Sequence, residues 1–192
     1  SKNGAIPPSP IVSCLGRLKD VNKTVPAHFQ KSKSILVLIG GRKDELGGSV
    51  YYSLFHELGA NVPKPNFEEV KNQIFALTDC IDDGMVLSCH DIADGGIASA
   101  LAEMTFGNAI GCKVKIDSVL TMDKFLFSET GGFVLEVSSG NVESVKENFS
   151  KYGLDVFNIG STGGNSIQIN EVVKLPVNKA KDLWTNGLRN KL

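Results

Sequence analysis

The sequence predicts an α/β domain of the α+β type: a mixed β-sheet covered by helices on both faces, three layers in all. Three observations carry this. Two continuous apolar runs, SILVLIG at 34–40 and MVLSCHDI at 85–92, have the composition of strands buried on both faces and are expected inside the sheet. Each leads through a loop with a Gly-Gly pair into a helical pattern. Strands and helices alternate early, whereas short strands gather late, so antiparallel pairing must enter and a purely parallel fold is excluded.

The first ten residues, SKNGAIPPSP, hold three prolines and a glycine and read as a linker from a preceding domain, with the domain proper over 11–192. A start on such a linker, without methionine, is expected of a piece of a longer chain. PIVSCLGRL (10–18) reads as a first strand. After SILVLIG, the pattern SVYYSLFHEL (49–58) reads as a helix. Asn66 offers a cap, with Glu68 and Glu69 in the first turn, to a helix whose Val70, Ile74, Leu77 and Ile81 recur at helical spacing up to Gly84. IASALAEMTF (97–106) follows the second glycine pair, with Ile97, Leu101 and Met104 on one face. CKVKID alternates as a strand, LTMDKFLFSE is a short helix and FVLEVS a strand. NVESVKENFSKYG turns Val142, Val145 and Phe149 inward and stops at Gly153. LDVFNIGST, NSIQIN and EVVKLPV are short strands, the last two joined by a tight turn. NKAKDLWTNGL is a terminal helix, with Trp184 as the expected anchor.

Composition removes several function classes. Net charge is -1, with Lys and Arg interspersed among acids, so no basic stripe exists for nucleic acid. No run of about 18 apolar residues offers a membrane span, and no apolar N-terminal region suggests a signal peptide. Cys14, Cys80, Cys89 and Cys112 are scattered without metal-ligand spacing; each has apolar or small neighbours and reads as a reduced thiol acting as a small core hydrophobe, which points to the cytoplasm. His28, His56 and His90 stand in unrelated contexts and no GxSxG elbow is present, which argues against nucleophilic catalysis.

Three motifs concentrate what chemistry remains. In SCHDIADGG (88–96) a strand delivers His90, Asp91 and Asp94 to a helix start opened by Gly95 and Gly96, where free amides and the helix dipole attract an anion; the same stretch also suits Asp94 as a plain helix cap and His90 as a satisfied core residue. In GGRKDELGGSVYY (40–52) the backbone at Gly47, Gly48 and Ser49 can approach a phosphate, with Arg42 or Lys43 as its cation, although no Gly-Lys-Ser/Thr follows and the glycines equally suit a turn. In FSETGGFVLEV (127–137), Ser128, Glu129 and Thr130 at a strand entrance suit a substrate loop or a hairpin turn. The strands ending at Gly40 and Ile92, if parallel, bring all three loops to one rim of the sheet.

Taken together, in this order and over nearly the whole chain, the motifs resemble the C-terminal domain shared by aminoimidazole ribonucleotide synthase, selenophosphate synthetase, the hydrogenase-maturation protein HypE and phosphoribosylformylglycinamidine synthase. NGAIPPSPIVSCLG, DELGGSVYY and HDIADGG are similar to segments of the last of these, as is the closing pattern of NIG, paired strands and a helix carrying Trp184. That enzyme holds such a domain twice, and RKDELGGSV and SETGG resemble the copy away from the working site. The resemblance implies a fragment of an ATP- and Mg2+-dependent C–N ligase of purine biosynthesis, with upstream synthetase domains and a glutaminase as partners. It also implies that this domain is structural or binds an auxiliary nucleotide, and is inactive alone. A HypE-like or selenophosphate-synthetase-like domain, or a ligand-free interaction module, are the alternatives.

Overall fold

The computed structural model describes Gly4 and residues 11–187. The linker expected over 1–10 therefore lies, apart from Gly4, outside the described residues. Seven strands form a single sheet in the order β2-β4-β1-β5-β3-β6-β7: β1 Ile35–Ile39, β2 Val86–Asp91, β3 Cys112–Val114, β4 Phe133–Val137, β5 Val156–Thr162, β6 Ser166–Ile169 and β7 Val173–Pro176. Among the described residues six α-helices accompany them: α1 Val50–Ser53, α2 Phe67–Asp82, α3 Gly96–Phe106, α4 Met122–Phe127, α5 Val142–Lys151 and α6 Val177–Asn186. β3 and β6 pair in parallel while the other ladders are antiparallel, so the sheet is mixed as expected.

Alternation along β1 builds the three layers. Leu36 and Leu38 point into a core with Val134, Ile159, Ile97, Leu101, Met104 and Leu126, beneath α3, α4 and α6. Val37 and Ile39 point the other way, to Leu135, Val137, Ala76, Leu77, Val145 and Phe149, beneath α2 and α5. A strand buried on both faces has no polar side to spare, which is why its sequence is continuously apolar.

The run at 85–92 breaks the expectation that it lies inside the sheet: β2 is an edge strand. Its faces are covered, and its free backbone edge is met by the chain at Pro26, whose carbonyl accepts from the Cys89 amide at 3.0 Å. That chain is pinned by Glu136 of β4, a fully buried carboxylate. Its two oxygens accept from the Gln30 and Lys31 amides, at 2.7 and 2.9 Å, and from the Ser88 hydroxyl at 2.8 Å. Three donors thus satisfy the buried carboxylate.

Other expectations are corrected. PIVSCLGRL forms no strand over its described residues, which are all exposed, including Cys14. The helix expected over 49–58 closes after Ser53, because Gly47 and Gly48 donate to the carbonyls of Asn61 and Leu58 and fold the segment back on itself. α2 buries Gln73, Ala76, Leu77 and Cys80, leaving Val70 and Ile74 outward, since the helix leans on α5 through the Asn148 amide, which reaches the Ala76 carbonyl at 2.8 Å. α6 is anchored by Val177 and Ala180; Trp184, 63% exposed, only tilts against Phe106.

Candidate functional site

β1 and β2 are both antiparallel to β4 and therefore run in the same direction, so their C-terminal ends share a rim. There the loops after β1, after β2 and before β4 meet. Their approach is backbone to backbone. A Cβ on Gly132 would stand 2.3 Å from the Ile39 carbonyl oxygen, and one on Gly96 would stand 2.5 Å from that of Leu126. Side chains cannot fit at these crossings, and φ of 136° and 66° excludes most of them anyway.

Glu129 joins the loops. Its Oε1 accepts from the Gly95 amide at 2.9 Å and from the Val50 amide at 2.8 Å, which are the starts of α3 and α1. One carboxylate oxygen thus sits where the orphan amides and the dipole of α3 favour an anion. α3 has no side-chain cap of its own: Asp94 is exposed and Gly95 occupies the cap position. The Gly96 amide is already bonded to the Ala93 carbonyl at 3.0 Å.

The neighbouring groups are engaged in the same way. Thr130 Oγ1 donates to Glu45 at 2.8 Å. Ser49 accepts from the Tyr52 amide and donates to the Leu46 carbonyl, capping α1. Arg42 donates to the carbonyls of Gly131 and Ser128 rather than facing outward; burial pulls its pKa down to about 10, with the Glu45 charge pulling the other way. Two buried atoms of this knot, Arg42 Nε and Ser128 Oγ, have no hydrogen-bond partner. Lys43 is exposed.

Of the residues singled out from sequence, Gly47, Gly48, Ser49, Gly95, Gly96, Ser128, Glu129 and Thr130 meet at this junction. Asp91, the last residue of β2, and Asp94, in the loop that follows, are exposed beside it. His90 turns aside, its Nδ1 2.7 Å from the Asp91 carbonyl and its Nε2 3.3 Å from the Glu103 carboxylate. Among the described residues no three of His, Cys, Asp and Glu group as metal ligands. As they stand, then, the residues do not fit a phosphate–magnesium site: a phosphate on Gly95 would first have to displace Glu129. Sequence reasoning missed Glu136, although a glutamate inside FVLEV was the signal for it, and left Glu129 and Arg42 open between a ligand and a turn.

A mixed sheet between two helical layers, with strand–Gly-Gly–helix loops gathered on one rim, defines a domain of the aminoimidazole ribonucleotide synthase type. Residues 33–170 match the family described as AIR synthase related protein, C-terminal domain, and the chain belongs to that family. It is 34% identical over 98% of its length to phosphoribosylformylglycinamidine synthase subunit PurL of Methanothrix thermoacetophila, covering 26% of that protein. To the same subunit of Thermoplasma volcanium it is 34% identical over 97%, covering 25%. The chain thus spans about a quarter of these relatives. Among solved structures, Thermotoga maritima PurL complexed with FGAR is similar at a TM-score of 0.70 and 18% identity, over 83% of this chain and 30% of that one. The same protein complexed with ATP gives 0.65 and 17%, over 83% and 27%. Among the described residues no helix is long and apolar enough to cross a membrane.

Proposed function

We propose that this chain is the C-terminal domain of a phosphoribosylformylglycinamidine synthase, serving the enzyme as a structural copy of its nucleotide-binding fold. The whole enzyme converts formylglycinamide ribonucleotide, ATP and glutamine-derived ammonia to formylglycinamidine ribonucleotide in the cytoplasm, with Mg2+. Its ATP-activating groups belong to upstream domains, and a glutaminase partner supplies the ammonia. The observation that carries the structural role is Glu129, whose single oxygen occupies both helix starts. A domain that holds a phosphate on those amides has no use for a resident carboxylate there. An auxiliary nucleotide on this rim would need groups from another domain and the departure of Glu129.

The test is direct. The 192-residue chain alone should neither release ADP in the presence of formylglycinamide ribonucleotide and ammonia nor bind Mg-ATP saturably by calorimetry. The longer polypeptide that contains it should do both. A longer polypeptide that makes no formylglycinamidine product overturns the assignment. Saturable ATP binding by the short chain, abolished by bulky residues at Gly95 and Gly96, overturns the structural role.

A further inference from the structure

Away from the glycine-rich junction, one cavity presents chiefly hydrogen-bond acceptors. It measures about 430 Å³ and lies where the end of β1, at Gly40 and Gly41, meets the first turns of α2 and the turn between α5 and β5. That volume suits a small molecule. None of Gly47, Gly48, Gly95, Gly96 or Glu129 lines it.

Gln73 sets the chemistry of its wall. The side chain is only 4% exposed, its Nε2 donates to Glu69 Oε1 at 3.2 Å, and no described residue donates to its Oε1. Backbone packs closely on the amide: a Cβ on Gly40 would stand 3.2 Å from Nε2. A nearly buried amide oxygen costs free energy unless water or a ligand brings it a donor. Asn72 adds a second such acceptor, since its Nδ2 reaches the Tyr152 carbonyl at 3.4 Å while no described residue donates to its Oδ1.

Charge says what kind of donor fits. Glu68, Glu69 and Asp155 line the cavity, and among the described residues no Lys, Arg or His does. Glu68 is paired with Lys71 at 3.6 Å, whereas neither Glu69 nor Asp155 has an ion pair among the described residues. Lys43 and Lys64 line a smaller hollow that shares Glu69, and neither pairs with these carboxylates. Anions are therefore repelled here despite the start of α2. A metal ion is not favoured either, because the carboxylates do not group as its ligands. Leu154 and the half-exposed Phe157 supply apolar wall between Gln73 and Asp155.

We infer that this cavity binds a linear alkyl polyamine: one ammonium donates to Gln73 Oε1 and the Glu69 carboxylate, the methylene chain lies along Leu154 and Phe157, and a second ammonium reaches Asp155. An alkylammonium carries three rotatable donors on a flexible apolar stem, which matches separated acceptors joined by apolar surface. Bound there, it ties α2 to the loop that leaves β1 at Gly40 and runs on to Arg42 and Glu45.

Spermidine is the probe, titrated by calorimetry into the 192-residue chain at an ionic strength of about 0.15 M, where diffuse attraction between exposed charges is largely screened. Saturable binding at a single site is expected. Glu69→Gln, Asp155→Asn and Gln73→Leu should each weaken it by roughly tenfold, the size of a lost hydrogen bond to a charged group. Gln73→Leu changes a buried side chain, so its thermal midpoint is measured first; the two carboxylate variants, near in shape to the wild type, carry the test if it unfolds. Glu143→Gln, at an exposed acid of α5 outside the cavity, should leave affinity unchanged. Heat that does not saturate, an equal loss in Glu143→Gln, or unchanged affinity in both carboxylate variants means diffuse attraction and overturns the site. Tetramethylammonium has the charge without an N–H donor and should not compete; competition by it or by Mg2+ at equal concentration overturns the alkylammonium. Spermidine binding by the short chain that is lost in the longer polypeptide means that a side chain of that polypeptide takes the place, and overturns the small-molecule ligand.

Discussion

Two of the glycine pairs of this domain, at 47–48 and 95–96, open helices in opposite ways. Gly47 and Gly48 lead to Ser49, which caps α1 with its own hydroxyl, and the pair's amides are spent on carbonyls of the same loop. Gly95 and Gly96 open α3 with no side-chain cap, and the missing acceptor arrives from Glu129, in a loop 34 residues further along the chain. The first start carries a local cap of its own. The second depends on tertiary structure, and Glu129 makes the first depend on it too through the Val50 amide. Identical letters in a motif thus carry different physics according to where the acceptor comes from.

The largest expected effect separates two adjacent glycines. Gly96→Ala places a methyl carbon against the Leu126 carbonyl, where backbone must move, and strains a left-handed φ. It should cost about 3 kcal/mol. Gly95→Ala has the same handedness, but its near neighbour is the Ser99 side chain, which can rotate away, so about 1 kcal/mol is expected. Urea denaturation of both variants checks this, and equal losses would mean that the α3–α4 crossing is looser than described.

Next comes the shared acceptor. Glu129→Ala strips both helix starts at once and should cost about 2 kcal/mol, while Glu129→Gln keeps an oxygen for the amides and should cost about half of that. Faster hydrogen exchange at both Val50 and Gly95 in the alanine variant would show that the starts are coupled; a change at Gly95 alone would break the coupling. Ser49→Ala should cost about 1 kcal/mol and leave exchange at Gly95 untouched, since that cap is local.

How far the sequence carried the fold follows from the same distinction. α3 and α5 were legible because their apolar spacing reports a face, and the apolarity of β1 reports burial on both sides. β2 misled because apolarity says nothing about lateral neighbours: its faces are covered, yet its backbone edge is completed by Pro26 and not by a strand. In α2, Val70 and Ile74 kept helical spacing with Leu77, but Gln73 and Cys80 won the inner face through contacts with distant chain. Trp184 was read as an anchor on size alone, whereas the smaller Val177 and Ala180 fit under the sheet. The meeting of the three loops was legible, because strand direction fixes which ends share a rim. Its closure by Glu129 was not, because a carboxylate two residues from a Gly-Gly pair looks the same whether it faces a ligand or its own fold.

The smallest effect is a difference in alkaline response between the two loops. Cys89, on the strand leading to Gly95, is pushed up to about 12 by burial and the nearby Asp91 charge, and Cys112 up to about 12 by burial. Above the ordinary thiol value of 9.0 the unfolded chain loses these protons while the folded one keeps them. Proton binding then favours the unfolded state less than the folded one, so stability falls as pH rises from 9 towards 12, by at most about 1.4 kcal/mol per pH unit for each thiol. Arg42, beside the first loop, is drawn down to about 10, so above that pH the folded chain sheds a proton that the unfolded chain retains, and stability rises with pH. The loss should therefore be steepest between pH 9 and 10, before Arg42 opposes it. Urea midpoints measured in that interval should drop for the wild-type chain and change less in Cys89→Ser/Cys112→Ala, whatever the lower starting stability of the double variant. Parallel slopes in the two proteins would place the alkaline weakness elsewhere and remove the second loop from it.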